Sequence, residues 1–194
     1  KLKRLKNIIF PDGHKVEFSY EISIARADVP EDFPLKQIKV LYNGEDEVSY
    51  NLTHGYFLKK EIKNYTDVIG DQDKRFARLC LTALQKTNSG KTEPPTNFTY
   101  YTGIESSDPK DIVPPFDCVA QDHWGFYNRV SIVNNDDPNP AKETLRELML
   151  NNATYRLPYP EAAKFGLLKS IQNPFGGKLT FEYEQNESKD SDNP

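Results

Sequence analysis

Apolar residues recur mostly at every second position, in short runs ended by Gly, Pro or Asn, a pattern of half-buried strands rather than amphipathic helices. Leu35-Lys36-Gln37-Ile38-Lys39-Val40 runs through Asn43-Gly44 into Val48-Ser49-Tyr50-Asn51-Leu52. Both turn residues tolerate positive φ, so the segment predicts a hairpin. Arg78-Leu79-Cys80-Leu81-Thr82-Ala83-Leu84 passes through Asn88-Ser89-Gly90 into Phe98-Thr99-Tyr100-Tyr101, again with aromatics two positions apart. With the two ends of the chain, the pattern predicts four hairpin units near residues 5–21, 35–58, 78–101 and 168–184. Their aromatics read first as core and cross-strand packing.

The first and last units are copies of one another. Leu5-Lys6-Asn7-Ile8-Ile9-Phe10-Pro11-Asp12-Gly13-His14-Lys15-Val16-Glu17-Phe18-Ser19-Tyr20-Glu21 aligns without gaps on the segment from Leu168 to Glu184, with nine of 17 positions identical. Chance pairing would give about one. Pro11 and Pro174 fix φ at the first central position of a type I turn. Gly13 and Gly176, two residues later, can take the left-handed conformation of a G1 bulge, and Gly177 follows the second. Beyond each turn, Phe-x-Tyr puts two rings on one face.

Residues 102–167 interrupt this pattern as an irregular insertion rich in turn chemistry, with Asp108-Pro109, Pro114-Pro115 and the run from Asn134 to Pro140. One helix is expected after an Asn139 cap, with Pro140 at its start and Leu145, Leu148 and Met149 as its apolar stripe up to Asn151. A second short turn of helix is expected through Pro160-Glu161-Ala162-Ala163-Lys164, stopped by Gly166. The fold expected is therefore mainly β: an antiparallel sheet of repeated hairpins with one or two short helices in a long insertion. Domain organisation reads as a single β-rich repeat domain over 1–184 and a polar linker or disordered tail over 185–194.

Composition agrees with short strands and turns. The chain has 11 Tyr, 11 Phe and 14 Pro against a single Met in 194 residues. With 25 Lys+Arg and 29 Asp+Glu the net charge is −4, which argues against a nucleic-acid partner. No apolar run approaches the roughly 18 residues of a membrane-spanning helix, so no transmembrane segment is expected. The charged opening from Lys1 to Lys6 reads as the approach to a strand, and the chain as a piece of a longer polypeptide.

The unit Leu-Lys-x-Ile-x-x-Pro-x-Gly-x-Lys-x-x-Phe-x-Tyr-Glu resembles the Rhs/YD type of β-hairpin repeat of large secreted and cell-surface bacterial proteins. The block Gln121-Asp122-His123-Trp124-Gly125-Phe126-Tyr127-Asn128, followed by the stretch from Gly166 to Glu184, is similar to a segment recurring in surface proteins of the Bacteroidetes. The Tyr-Asp dipeptides that name the repeat are absent here. The resemblance implies an extracellular or outer-membrane-associated location and a spiralling antiparallel sheet. Partners are then neighbouring repeats or domains of the same polypeptide, which cover the sheet edges.

Candidate chemistry is sparse. His14 lies in a hairpin turn and His54 at a strand end, both read as exposed residues without a role. His123 stands among Asp122, Trp124, Phe126 and Tyr127, with Cys118 five residues earlier. A Cys-His nucleophile needs geometry that proximity along the chain does not supply, so the block reads as a packed loop first and a ligand contact second. Cys80 and Cys118 can form one disulfide in an oxidising compartment, with a buried free thiol at Cys80 as the alternative. Asp71-Gln72-Asp73 and Asn134-Asn135-Asp136-Asp137 lack the spacing of a calcium loop and read as solvated turns. No metal site, cofactor or catalytic residue is expected.

Three functions compete on this basis. The first is a non-catalytic structural repeat segment of a larger cell-surface or secreted protein. A binding module for glycan or protein, built on Trp124, Phe126, Tyr127, Asp122 and His123, is the alternative. A hydrolase centred on His123 is the third, and it requires an acid or nucleophile beside that imidazole.

Overall fold

The computed structural model describes residues 3–23, 25–29, 31–57, 77–102, 120–128 and 156–184. Among these residues, nine antiparallel strands form one sheet: β1 (Asn7–Ile9), β2 (His14–Tyr20), β3 (Leu35–Tyr42), β4 (Glu45–Tyr56), β5 (Leu79–Asn88), β6 (Lys91–Thr92), β7 (Thr96–Tyr100), β8 (Leu168–Gln172) and β9 (Lys178–Thr180). The order across the sheet is β1-β2-β3-β4-β5-β7-β8-β9, with β6 also paired to β5. One short helix, α1 (Pro160–Ala163), precedes β8. The chain is thus mainly β, and the repeated hairpins stand at opposite ends of an open sheet.

The turns follow the local chemistry. Gly13 and Gly176 have φ of 92° and 89°, the left-handed region their type I turns require. The Gly13 amide donates to the Phe10 carbonyl at 3.3 Å and the Phe10 amide to the His14 carbonyl at 2.9 Å. The corresponding bonds of the second turn join Gly176 to Asn173 at 3.1 Å and Asn173 to Gly177 at 2.8 Å. Asn43 and Gly44 both take positive φ between β3 and β4, as do Ser89 and Gly90 after β5. The strand leaving the latter turn is cut in two, because Pro94 and Pro95 have no N–H to give the ladder. Its halves, β6 and β7, both pair with β5.

Register sorts side chains onto two unlike faces. Cross-strand partners run Ile8, Val16, Val40, Val48 in one row and Phe18, Ile38, Tyr50 in the next. Leu52 and Leu84 pair on that same face, which continues to Phe98, Ile171 and Leu179. The opposite face carries Glu17, Lys39, Ser49 and Thr87, then Gln37, Asn51 and Gln85. A side-chain bond of 2.8 Å joins Gln37 to Asn51 there. Hydrophobic alternation therefore dictates one apolar and one polar face.

Among the described residues the buried hydrophobic side chains are Ala27, Phe57, Ala77, Ala120 and Ala162, and no large side chain is fully buried. Phe57 packs edge-on against Tyr100 with ring centroids 5.1 Å apart. The short turn of helix expected after Pro160 is present as α1, and Gly166 follows it at φ 86°. The helix expected over 140–151, the acidic clusters at 71–73 and 134–137, Cys118 and the tail over 185–194 lie outside the described residues. No helix among the described residues is long and apolar enough to cross a membrane.

Candidate functional site

Gln121 to Asn128 form a third turn of the same kind as the two hairpin ends. Asp122 donates its amide to the Phe126 carbonyl at 2.8 Å, Gly125 donates to the Asp122 carbonyl at 3.2 Å, and Gly125 has φ 88°. The Asp122 carboxylate, in a residue only 2% exposed, accepts the amides of Trp124 and Phe126 at 2.9 Å each. That side chain is spent on holding its own loop, an Asx arrangement that satisfies donors the turn leaves over. The rings it carries are pushed outward: Trp124 is 44% and Phe126 47% exposed.

These rings wall a cleft of about 210 Å³, completed by Pro158, Tyr159, Ala163, Lys164, Leu167, Tyr183 and Glu184. Several elements converge to make it. The loop supplies the aromatic wall, α1 and the turn after it supply Ala163 and Lys164, and the end of the second repeat supplies Tyr183. Tyr183 is fixed because its hydroxyl donates to the Leu168 carbonyl at 2.9 Å and its ring lies edge-on to Tyr101, centroids 5.9 Å apart. The Tyr101 hydroxyl in turn donates to the Phe181 carbonyl at 2.7 Å. Lys164 bonds Glu161 at 3.1 Å and stands 5.9 Å from the Tyr101 ring centre. The arrangement offers apolar ring surface with the basic Lys164 and the acidic Asp122 and Glu184 on its wall, a combination suited to holding a ligand.

Of the residues singled out from sequence, Asp122, Trp124 and Phe126 line this cleft; His123 and Tyr127 do not. Tyr127 instead packs on Phe165, with ring centroids 6.3 Å apart. His123 is exposed. Cys80 carries a free thiol, and burial pushes its pKa up, which favours the unreactive protonated form. His14 sits in its turn, 3.0 Å from the Asp12 carboxylate.

The wall from Pro158 to Leu167, together with Tyr183 and Glu184, was not legible as a site. The one available signal was Tyr159-Pro160 ahead of a helical turn, an aromatic beside a proline.

A second cluster lies near the first hairpin. Arg26 forms a two-bond pair with Asp28 at 2.8 and 2.9 Å and reaches Asp32 at 3.0 Å, while Arg4 also bonds Asp32 at 3.0 Å. Asp28 Oδ2, one of the two oxygens in that pair, also accepts the Leu79 amide at 2.9 Å. Burial works to raise the Asp28 pKa, but the Arg26 and Leu79 hydrogen bonds outweigh it and the net direction is down. Asp32 is lowered likewise against its own desolvation, by Arg4, the Phe33 amide and Arg26. His54, expected to be exposed, is half-buried in β4, and burial together with Arg26 lowers its pKa. This cluster ties the 25–35 loop to the sheet; Arg26-x-Asp28 was its only trace in the sequence.

Set against protein-family models, characterised proteins and solved structures, the chain matches none.

Proposed function

We propose that this chain is a non-catalytic structural repeat segment of a larger bacterial cell-surface or secreted protein. The observation that supports the reading is the equivalence of its two ends. In both hairpins the first strand meets the second in the same register: Asn7 with Glu17 and Ser170 with Thr180, Ile8 with Val16 and Ile171 with Leu179, Ile9 with Lys15 and Gln172 with Lys178. Tyr20 bonds the Leu5 carbonyl at 3.0 Å as Tyr183 bonds that of Leu168 at 2.9 Å. A unit that recurs with its hydrogen bonds intact, in a sheet open at both ends, suits a serial array. Surface labelling, fractionation and mass spectrometry of the native polypeptide test this. A surface-exposed polypeptide far larger than 194 residues is the expected result. A product of about this size, found only inside the cell, would overturn it.

The second reading, a binding module for glycan or protein, is favoured by the exposed Trp124 on the wall of the cleft. Trp124 is the sole tryptophan of the chain, so its intrinsic fluorescence reports on that wall directly. Titration with neutral oligosaccharides and surface-protein extracts is expected to shift the emission, and Trp124→Ala, followed by calorimetry because the variant has no tryptophan, to abolish binding with an unchanged melting temperature. Binding that survives Trp124→Ala would place the ligand elsewhere.

A further inference from the structure

The two copies of the repeat hairpin are alike in themselves and unlike in their neighbours. In the first, β1 is the outermost strand and β2 is flanked by β3; in the second, β8 is flanked by β7 and β9 is outermost. Among the described residues β9 is therefore a β2 without its β3. Which backbone groups this leaves free follows from the ladder. The Phe18 amide donates to the Lys6 carbonyl at 2.9 Å and the Phe181 amide to the Lys169 carbonyl at 2.9 Å, so these residues and their alternates bond inside the hairpin. The residues between them point outward. On β2 these are Lys15, Glu17 and Ser19, set against Leu41, Lys39 and Gln37 of β3. Their counterparts in the second copy are Lys178, Thr180 and Glu182.

Side chains show the same vacancy. Val16 is half-buried beside Val40, whereas its counterpart Leu179 is 58% exposed. Glu21, the last residue of the first repeat, holds Lys36 of the β3 strand at 2.7 Å. Glu184 is the identical residue of the second repeat.

We infer that the outer edge of β9 accepts an extended strand of β3 type, taken antiparallel and in the register that β3 holds on β2. This rests on the reading of the chain as a repeat segment, and it names the partner of one edge. The occupant is an alternating aliphatic and basic segment: an aliphatic side chain comes beside Leu179 as Val40 comes beside Val16, and a lysine reaches Glu184 as Lys36 reaches Glu21. Main-chain hydrogen bonds to Lys178, Thr180 and Glu182 supply the attachment, and these two side-chain positions supply its register.

The test adds a synthetic peptide of residues 34–43 to the full chain and follows amide exchange residue by residue. Exchange at Lys178, Thr180 and Glu182 is expected to slow by about tenfold or more at saturating peptide, with no change at Leu5, Asn7 and Ile9 on the opposite edge. Thr180→Pro removes an outward donor without touching a bond inside the hairpin, so it should abolish the effect while the melting temperature holds. Asn7→Pro, the matching change on the other edge, should leave the effect in place. Glu184→Lys is expected to weaken binding several-fold. No slowing with millimolar peptide, slowing at the β1 edge, or displacement of β3 from β2 would each overturn the inference. Peptide capture by β9 together with a native polypeptide of only this size would retire the repeat-segment reading and leave the edge as a docking site for a separate chain.

Discussion

The β1–β2 and β8–β9 hairpins share a sequence pattern, a turn and a register, yet β2 is seven residues long and β9 three. The difference teaches what is local and what is not. The turn is set by Pro and Gly within the unit, whereas strand length is set by whether a neighbour lies alongside. The residue one place ahead of each repeat also differs. Arg4 lies 5.8 Å from the centre of the Tyr20 ring and leads into the Arg26-Asp28-Asp32 cluster. Leu167, in the equivalent place, borders the aromatic cleft. One framework thus carries an ion-pair cluster at one end and an apolar recess at the other.

The largest effect that separates the two ends is expected from glycine replacement. A Cβ at Gly13 would come 2.7 Å from the Asn43 side-chain oxygen, while one at Gly176 meets nothing within 4 Å. Both positions strain any β-branched residue at positive φ. Gly13→Val should therefore cost about 2–3 kcal/mol and Gly176→Val about 1–2 kcal/mol by denaturant unfolding. Equal losses would mean that the β3–β4 turn yields freely to the first hairpin.

Removal of the ion-pair cluster comes next. Arg26→Leu should cost about 1–2 kcal/mol at neutral pH, since the cluster is partly open to solvent. Its pH signature gives a sharper reading. Asp28 and Asp32 have folded pKa values below the ordinary 3.8, so the unfolded chain binds protons first as the pH falls. Stability from these pairs is complete above that value and is lost as the pH drops through and below it. Arg26→Leu should abolish the Asp28 share of this acid loss in melting temperatures taken from pH 5 downward. Glu21 adds to the same limb, held to about 2 by Lys36 and Ser23, and stays unchanged in the variant.

Smallest is the tyrosine pair. Tyr20→Phe and Tyr183→Phe each remove one hydroxyl-to-carbonyl bond and should cost about 1 kcal/mol apiece by unfolding. Tyr183→Phe should in addition loosen the cleft wall and alter Trp124 emission. A silent emission spectrum would show that the wall stands without that bond.

Much of this framework was legible in the chain because its causes are local. Alternation announced the paired strands, Asn43-Gly44 and the two Pro-x-Gly turns announced the reversals, and Pro160 announced α1. The strand break between β6 and β7 has an equally local cause in Pro94-Pro95. The cleft was less accessible. Trp124 and Phe126 could be picked out as exposed aromatics, but their companions Lys164, Leu167 and Tyr183 reach them only when the second repeat folds against α1. Asp122 follows the first reading of its block, a packed loop: its carboxylate, though on the cleft wall, binds two amides of its own turn. Burial, not residue type, decided that role.

From β1 to β5 each strand returns beside the last, and β6 and β7 both return beside β5, whereas β8 joins β7 only after the long stretch between Tyr100 and Leu168. This gives the sheet a sense of time. The connections up to β7, the longest being residues 57–78 between β4 and β5, close at less entropic cost than the stretch between β7 and β8. During synthesis the strands through β7 emerge first and can pair in turn. The β8–β9 hairpin emerges after them and joins the edge that β7 presents.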